Sequence, residues 1–305
     1  RKECPVIIIK PLSQCSFSDA LQAFNKGFED YYIPVEMSLD QFTCRFGFDQ
    51  LSVDHSFMAF YNNTPAGIML NGIKKVKGKK HAWNGGTSVA FLYRKMGIGE
   101  ALLKATLEKY QQQGVVEASL EAFKVNEKAI HLYQKYGYEI VDTLLFLKHR
   151  GSFHASLLKK KNQLTYSLKR RLAKDIRNLP FYTYDVPWKN QFDCIHDGES
   201  FITLNEKNEE VGYLLFQKNF SSIGIVNSVT FYQGSVKEHI SNSEDVLGFL
   251  LATIFNMYGP IAYNTYNVPQ KRNSLLVKML KSFGFQDLYT DEGIKLEQVF
   301  MKKQL

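Results

Sequence analysis

Two stretches 147 residues apart carry one pattern, and this recurrence limits the possible folds more than any other feature of the chain. Residues 126–138 read NEKAIHLYQKYGY and residues 273–285 read NSLLVKMLKSFGF, which sets Asn126 on Asn273, Tyr136 on Phe283, Gly137 on Gly284 and Tyr138 on Phe285. Each stretch has an Asn able to open a helix and a Gly placed to stop it. A shift of 145 brings Gly67, in PAGIML, onto Gly212, in EVGYLLF, at the same place in an apparent hairpin. Self-similarity at a fixed offset marks a repeated structural unit, and 305 residues is the length of two ordinary domains. The expectation is a duplicated fold with its boundary near residue 150: one domain over 1–150, a second over 151–305.

In the first half, Ser18 followed by Ala20, Leu21, Phe24 and Phe28 predicts a helix over 18–31 ended near Pro34. Ser38 can cap a second short helix through Phe42 and Phe46. SFMAFYNN and AGIMLNGI form a hairpin around the turn at 62–65, and Trp83 to Phe91 is a third strand. A loop then opens an amphipathic helix stopped at Gly114, before the buried strand VVEASLEAF. From Asn126 a helix places Ala129, Ile130, Leu132, Tyr133 and Tyr136 on its apolar side, and a strand pair closes the half, giving the order α-α-β-β-β-α-β-α-β. Residues 151–177, with KKK at 159–161 and KRR at 169–171, keep an apolar face of Leu157, Leu164, Leu168 and Leu172, and predict a helical connector.

With 45% hydrophobic and 22% charged residues, and 23 Phe and 17 Tyr, collagenous and disordered classes are excluded. The longest uncharged run, Val246 to Gln270, is broken by Asn256, Gly259, Pro260 and Asn264; it falls short of the roughly 20 residues of a membrane span and predicts a buried core helix. RKECPVIII is followed by no small-residue cleavage site, so a cytoplasmic protein is expected. Cys4, Cys15, Cys44 and Cys194 are sparse and irregularly spaced, and no His/Cys cluster has metal-ligand spacing, so reduced thiols and no metal are expected. Each half holds 19 basic and 15 acidic residues, sharing the net charge of +8. The dense run Lys74, Lys75, Lys77, Lys79 and Lys80 lacks interleaved aromatics and reads as a solvated hairpin end, the alternative being a phosphate or nucleic-acid patch; no nucleic-acid or membrane partner is expected.

In SVAFLYRKMGIGEALL, Arg94, Lys95, Met96, Gly97, Ile98 and Gly99 form R-x-x-G-x-G between an extended run and a helix. Glycines let backbone approach a ligand closely, and the first N–H groups of a helix are unpaired donors at its positive end. A pyrophosphate fits such a turn, as does a plain tight turn without ligand. The dinucleotide fingerprint does not apply, because the spacing is G-x-G alone and no acidic residue ends a strand about 20 positions on.

From Thr87 to Tyr138 the chain resembles the GNAT superfamily of N-acetyltransferases, over roughly 18–148 in all. R-x-x-G-x-G matches that family's pyrophosphate loop, and L-E-A-x-x-x-N at 120–126 with A-x-x-x-Y at 129–133 matches its next two motifs. Phe91 stands where many members have Pro, and Lys95 where many have Gly. The resemblance implies an α/β protein of two GNAT-like (acyl-CoA N-acyltransferase) domains, each a mixed, mostly antiparallel sheet flanked by helices. It also implies acetyl-CoA as co-substrate: the backbone of Thr87, Ser88 and Val89 would pair with the pantetheine arm, residues 94–99 would hold the pyrophosphate, and Asn126 would sit beside the pantetheine. Tyr133 would be the general acid toward the leaving thiolate, the alternative being a core aromatic. Glu121 would be the base, directly or through water, the alternative being a structural carboxylate. His81 and His131 are lesser candidates.

In the second half no R-x-x-G-x-G precedes the helix, and Leu280 stands where Tyr133 does. The resemblance therefore implies one active domain and one degenerate copy, with one acetyl-CoA per chain. The expected function is transfer of an acetyl group to a primary amine by direct attack, since no Ser or Cys in the motif region has a paired base. Transfer of another acyl or aminoacyl group and a non-catalytic acyl-CoA sensor are the alternatives. Small amine, antibiotic, peptide N-terminus and lysine side chain all remain open as acceptors, and so does a homodimer.

Overall fold

A computed structural model describes residues 6–154 and 166–305. The chain forms two compact units, residues 1–141 with 300–305 and residues 142–299.

The first unit opens with β1 (Ile7–Pro11), which pairs antiparallel with residues 57–61. This strand is absent from the sequence-derived order, because a short edge strand whose partner lies 50 residues on has no alternation of its own. α1 (Phe17–Phe28) is capped by Ser16, whose hydroxyl accepts the Asp19 N–H at 3.0 Å, so the helix starts and stops earlier than 18–31. Residues 31–37 leave the helix ahead of Pro34, whose ring disfavours α conformation in the residue before it. α2 (Leu39–Phe48) carries a full capping box between Ser38 and Gln41. β2 (Ser52–Tyr61), β3 (Thr64–Val76) and β4 (Lys79–Val89) make an antiparallel meander. Its turns sit at Asn62–Asn63 and Lys77–Gly78, all four residues with positive φ as a tight hairpin turn requires. α3 (Ile98–Gln112), β5 (Val115–Phe123), α4 (Glu127–Lys135) and β6 (Glu139–Leu145) follow. β5 lies parallel to β4. α1 packs directly on β4 through Gly27, where a Cβ would fall 2.3 Å from Ser88 Cβ, so no larger residue fits that crossing.

The second unit begins its sheet with β7 (Leu147–His149). Residues 155–165 lie outside the described residues, and with them Leu157, Leu164 and the KKK run. The rest of the expected helical connector holds no α-helix: Leu168 and Leu172 belong to β8 (Ser167–Leu172), an edge strand whose KRR run discourages further pairing. Short 3-10 turns at Ala173–Asn178, Trp188–Asn190 and Phe192–Cys194 take the chain to β9 (Glu199–Leu204), β10 (Glu210–Phe220) and β11 (Val226–Val236). α5 (Ser243–Tyr258) is the core helix that the uncharged run predicts, with Leu247, Leu250, Leu251 and Ile254 fully buried. β12 (Ala262–Thr265), β13 (Val268–Pro269), α6 (Ser274–Ser282) and β14 (Gln286–Asp287) complete it, and the sheet runs β14-β7-β12-β11-β10-β9-β8.

The duplication extends to irregularities. β3 and β4 slip register between Leu70 and Asn71, leaving Gly85 unpaired; β10 and β11 slip between Leu215 and Phe216, leaving Tyr232 unpaired, at the offsets of 145 and 147 that the repeat gives. Gly137 and Gly284 follow their helices at φ 84° and 90°. In each unit the strand that ends the antiparallel run has a parallel strand beside it, β5 beside β4 and β12 beside β11.

The chain ends in β15 (Glu297–Gln304), which returns to the first sheet next to β5. Glu117 on β5 receives Lys302 Nζ and Gln304 Nε2, both at 2.8 Å, and the Leu305 N–H reaches the Val116 carbonyl at 3.1 Å. The first sheet thus uses the last strand of the sequence, whereas β7, at the end of the expected first domain, belongs to the second unit. Compactness accordingly divides the chain between Val141 and Asp142. Phe300 and Met301 are 1% and 0% exposed. Phe300→Ala is expected to cost about 3–5 kcal/mol by denaturant unfolding, and a fragment ending at 150 to fail to fold. A soluble 1–150 fragment with a cooperative melt would show β15 to be dispensable.

Candidate active site

Parallel pairing of β4 with β5 ends at Asn84 and Leu120, although β4 continues to Val89 and β5 to Phe123. Past that point the two strands separate, and one edge of β4 is released from its neighbour. The bulge at Gly85 makes the break, and Asn84 shapes it: its Oδ1 accepts the Gly86 N–H at 3.0 Å, and its Nδ2 lies 2.9 Å from Thr87 Oγ1. From α2, Arg45 donates to the Gly85 carbonyl at 2.7 Å while its Nε pairs with Asp49 at 2.8 Å.

Backbone groups alternate along a strand. The Ala90 N–H bonds to Ala66 across the sheet, and the Ser88 carbonyl lies 2.9 Å from the Cβ position of Gly67, so Ser88 and Ala90 face β3. Thr87 and Val89 are therefore the residues whose N–H and C=O point into the opening. Ser88, expected as a third member, is used otherwise: its hydroxyl bonds to Ala23 and Phe24 carbonyls on α1.

The loop after β4 reaches α3 through Lys95 and Gly97, both in the left-handed region at φ 64° and 81°, with Gly97 as the N-cap. Met96 and Gly97 are exposed, and a Cβ on Gly97 would meet nothing within 4 Å; the residue is there for its backbone angle. The first N–H groups of α3, from Ile98 onward, have no partner within the helix, whose first backbone bond runs from the Ala101 N–H to the Gly97 carbonyl. Arg94 holds the loop in place. Its Nε donates to the Val89 carbonyl at 3.1 Å and its Nη2 to the Gly27 carbonyl at 3.0 Å, with the guanidinium over the Phe91 ring.

Tyr133 on α4 is 6% exposed, and its hydroxyl donates to Thr87 Oγ1 at 3.0 Å and accepts from Asn84 Nδ2 at 3.3 Å. Burial pushes its phenol pKa up, against the opposing pull of those two hydrogen bonds. Asn126 caps α4 by accepting the Ala129 N–H at 3.3 Å, and it also bonds to the Tyr31 hydroxyl, whose pKa burial raises to about 12. Glu100, in the first turn of α3, takes the Tyr136 hydroxyl and the Lys135 ammonium, which together pull its carboxyl down to about 2 and clamp α3 to α4. Glu121 sits one residue past the last β4–β5 rung, half-buried, with Oε2 accepting Trp83 Nε1 at 2.8 Å. The motif residues of β4, the loop and α4 thus converge on one opening, with Glu121 at its inner end on β5.

His81 and His131 are apart from it. His81 pairs with Glu117 at 3.5 Å, several residues back along the ladder, and His131 is exposed. Sequence reasoning passed over Asn84, Arg45 and Tyr31. The N-G-G-T run at 84–87 does carry a signal for the first, since paired glycines inside a strand mark a bulge; Arg45 and Tyr31 matter through partners 40 and 95 residues away, and nothing local announces them. Among the described residues no group of three or more His, Cys, Asp or Glu is arranged to hold a metal, and no helix is long and apolar enough to cross a membrane.

Residues 19–138 match the family model of the acetyltransferase (GNAT) family. No curated protein matches the chain. Among solved structures it is similar to the GCN5-related glucosamine N-acetyltransferase region of a fungal multi-domain GH3 β-N-acetylglucosaminidase, at TM-score 0.68 and 12% identity, covering 98% of this chain and 38% of that one. It is similar also to a tandem GNAT protein from the clavulanic acid biosynthesis pathway, at TM-score 0.58 and 12% identity, covering 99% and 98%. A GCN5-related N-acetyltransferase from Kribbella flavida gives 0.59 and 13%, covering 99% and 71%. The chain spans 38% of the length of the first of these and nearly all of the second.

A pH dependence follows from the buried phenols. Tyr31, Tyr133 and Tyr138 all have folded pKa values raised above that of a free tyrosine, chiefly by burial. The folded chain therefore keeps protons that the unfolded chain loses, and stability present below about pH 10 is lost as pH rises further. Denaturant midpoints are expected to be flat from pH 8 to 9.5 and to fall above about pH 10; a midpoint unchanged at pH 11 would mean that these phenols titrate normally.

Proposed function

Residues 19–138 form a GNAT-family acetyltransferase domain in a chain built as a tandem of two GNAT-like folds, and from that premise we propose that it moves an acetyl group from acetyl-CoA to a primary amine by direct attack. The observation that carries the reading is the early end of β4–β5 pairing. It leaves the Thr87 and Val89 backbone groups facing an opening that lies between the glycine loop and the hydroxyl of Tyr133.

An extended pantetheine arm carries amides at the spacing of a peptide, so it can add to the free edge of β4 as a strand would. Thr87 and the N–H of Val89 supply the pairing groups, the Val89 carbonyl being taken by Arg94. The loop at 95–99 and the first N–H groups of α3 supply donors for the pyrophosphate. The thioester, when bound, offers an acyl carbon to the amine and leaves as a thiolate. Tyr133 supplies the proton for that thiolate. Burial keeps the phenol protonated through the physiological range, and Asn84 fixes its oxygen, so that only its own O–H must turn from Thr87 to sulfur. Glu121 takes the proton from the incoming ammonium, directly or through a water, from a carboxylate whose other oxygen Trp83 holds.

Tyr133→Phe is expected to lower turnover with acetyl-CoA by about 10²–10³ while leaving its affinity nearly intact. Glu121→Gln should lose rate at neutral pH and recover it at high pH, where amines deprotonate unaided. Thiol release from acetyl-CoA across a panel of amines measures both; equal rates in Tyr133→Phe would reduce that residue to core packing. For the loop, Gly97→Val should abolish CoA binding in calorimetry while the fold survives, since the new side chain meets open space and the cost is about 1–2 kcal/mol of left-handed backbone strain. Undiminished binding would remove the loop from the site.

A further inference from the structure

The second unit repeats the break that creates the opening in the first. β11 pairs in parallel with β12 only to Phe231 and Thr265, with one further hydrogen bond from the Tyr266 N–H to the Phe231 carbonyl at 3.1 Å, while β11 itself continues to Val236. The bulge is in place at Tyr232, and the residues equivalent to Thr87 and Val89 are Gly234 and Val236.

What differs is the use of the freed carbonyls. Asn190, fully buried in a 3-10 turn, places its Nδ2 2.7 Å from the Tyr232 carbonyl on one separating strand and 2.7 Å from the Tyr266 carbonyl following the other. One side-chain amide thus bridges the two strands just past their last rung. Gln233 secures it from behind, donating to the Asn190 carbonyl at 3.3 Å and accepting the Tyr213 hydroxyl. Farther out, Asn273 at the start of α6 sends its Nδ2 to the Gly234 carbonyl at 3.3 Å. Its counterpart Asn126 caps its own helix instead.

We propose that the second unit's slot is a self-filled site, in which Asn190 and Asn273 make the hydrogen bonds that an acyl-pantetheine arm would otherwise make, so that this unit takes no acyl-CoA. The comparison of the two slots rests on the acyl-CoA reading of the first unit. The bridging carries it further than a missing glycine loop does: loss of the loop weakens phosphate binding, whereas Asn190 ties the two separating strands together at their vertex and takes a carbonyl from each. The cleft that remains, bordered by Val236, His239, Ser243 and Asn273, measures about 280 Å³. The arrangement gives the second unit a slot that is held together without a ligand, and only the first unit should depend on one.

Hydrogen exchange on the full chain, with and without saturating acetyl-CoA, combined with calorimetric stoichiometry, tests this. The expected result is one equivalent of acetyl-CoA, slower exchange at 84–99 on binding, and no change at 232–236 or 266–276. In ligand-free protein, Asn190→Ala should speed exchange at 232–236 by about tenfold, as for a strand end that has lost its bridge. If that variant does not fold, Asn273→Ala, which frees only the Gly234 carbonyl, gives the same readout at 234–236. A second equivalent of acetyl-CoA, or protection gained at 232–236 on binding, would overturn the proposal, and so would unchanged exchange in the variant. Should no acetyl-CoA bind anywhere, the reading of the first unit fails, while the ligand-free comparison of variant with parent still decides the seal.

Discussion

Everything at the candidate site depends on the place where β4 stops pairing with β5. A parallel ladder that ran to the ends of both strands would satisfy every backbone group and leave nothing for a ligand to pair with. Here the bulge at Gly85 turns the chain, the side chain of Asn84 holds the turn, and Arg45 satisfies the one carbonyl that the bulge pushes out. The cost of leaving backbone groups unpaired in a partly buried place is reduced because side chains take the Gly85 carbonyl, the Gly86 N–H and the Val89 carbonyl. Two residues, Thr87 and Val89, keep groups facing the opening, and the site forms around them. Tyr133 is tied to the same turn through Asn84 and Thr87, so the acid and the strand edge cannot move independently.

The two units show one backbone device in two states. Both carry the bulge at the same register and both end the parallel ladder at the same rung. In the first, the flanking helix brings an arginine to the bulge carbonyl. In the second, irregular chain brings an asparagine that spans both strands. A side chain with one amide nitrogen can bridge two carbonyls only if both strands stand at the right separation, so the bridge also fixes the strand geometry that it fills. Duplication preserved the scaffold, and the side chain inserted at the vertex gives each copy its character.

The last strand adds a constraint of a different kind. β15 supplies Phe300 and Met301 to the first unit, and Glu117 anchors it through Lys302 and Gln304, 185 and 187 residues away along the chain. Glu117 itself stays ionised because Lys302 and Gln304 hydrogen-bond to it and lower its pKa against the effect of burial. A first unit whose sheet includes residues 297–304 cannot finish folding until those residues have been made, and such long-range closure is entropically slow.

Much was legible in the sequence. The internal repeat, the hairpins, the helix stops at Gly114 and Gly137 and the buried helix after Val246 all express short-range rules, in which glycine, proline and the spacing of apolar residues act within a turn or two. The glycine loop and the tyrosine of α4 were legible for the same reason, since each motif lies within a few residues. The connector between the halves reads as helical because Leu168 and Leu172 satisfy a helical spacing, but four residues apart they also share one side of an edge strand, and only the neighbouring strand settles which. Asn84, Arg45, Asn190 and the placement of β15 were decided by the tertiary structure alone. Their roles consist of hydrogen bonds to groups far along the chain, and a polar side chain in a sequence gives no indication of which distant carbonyl it will reach.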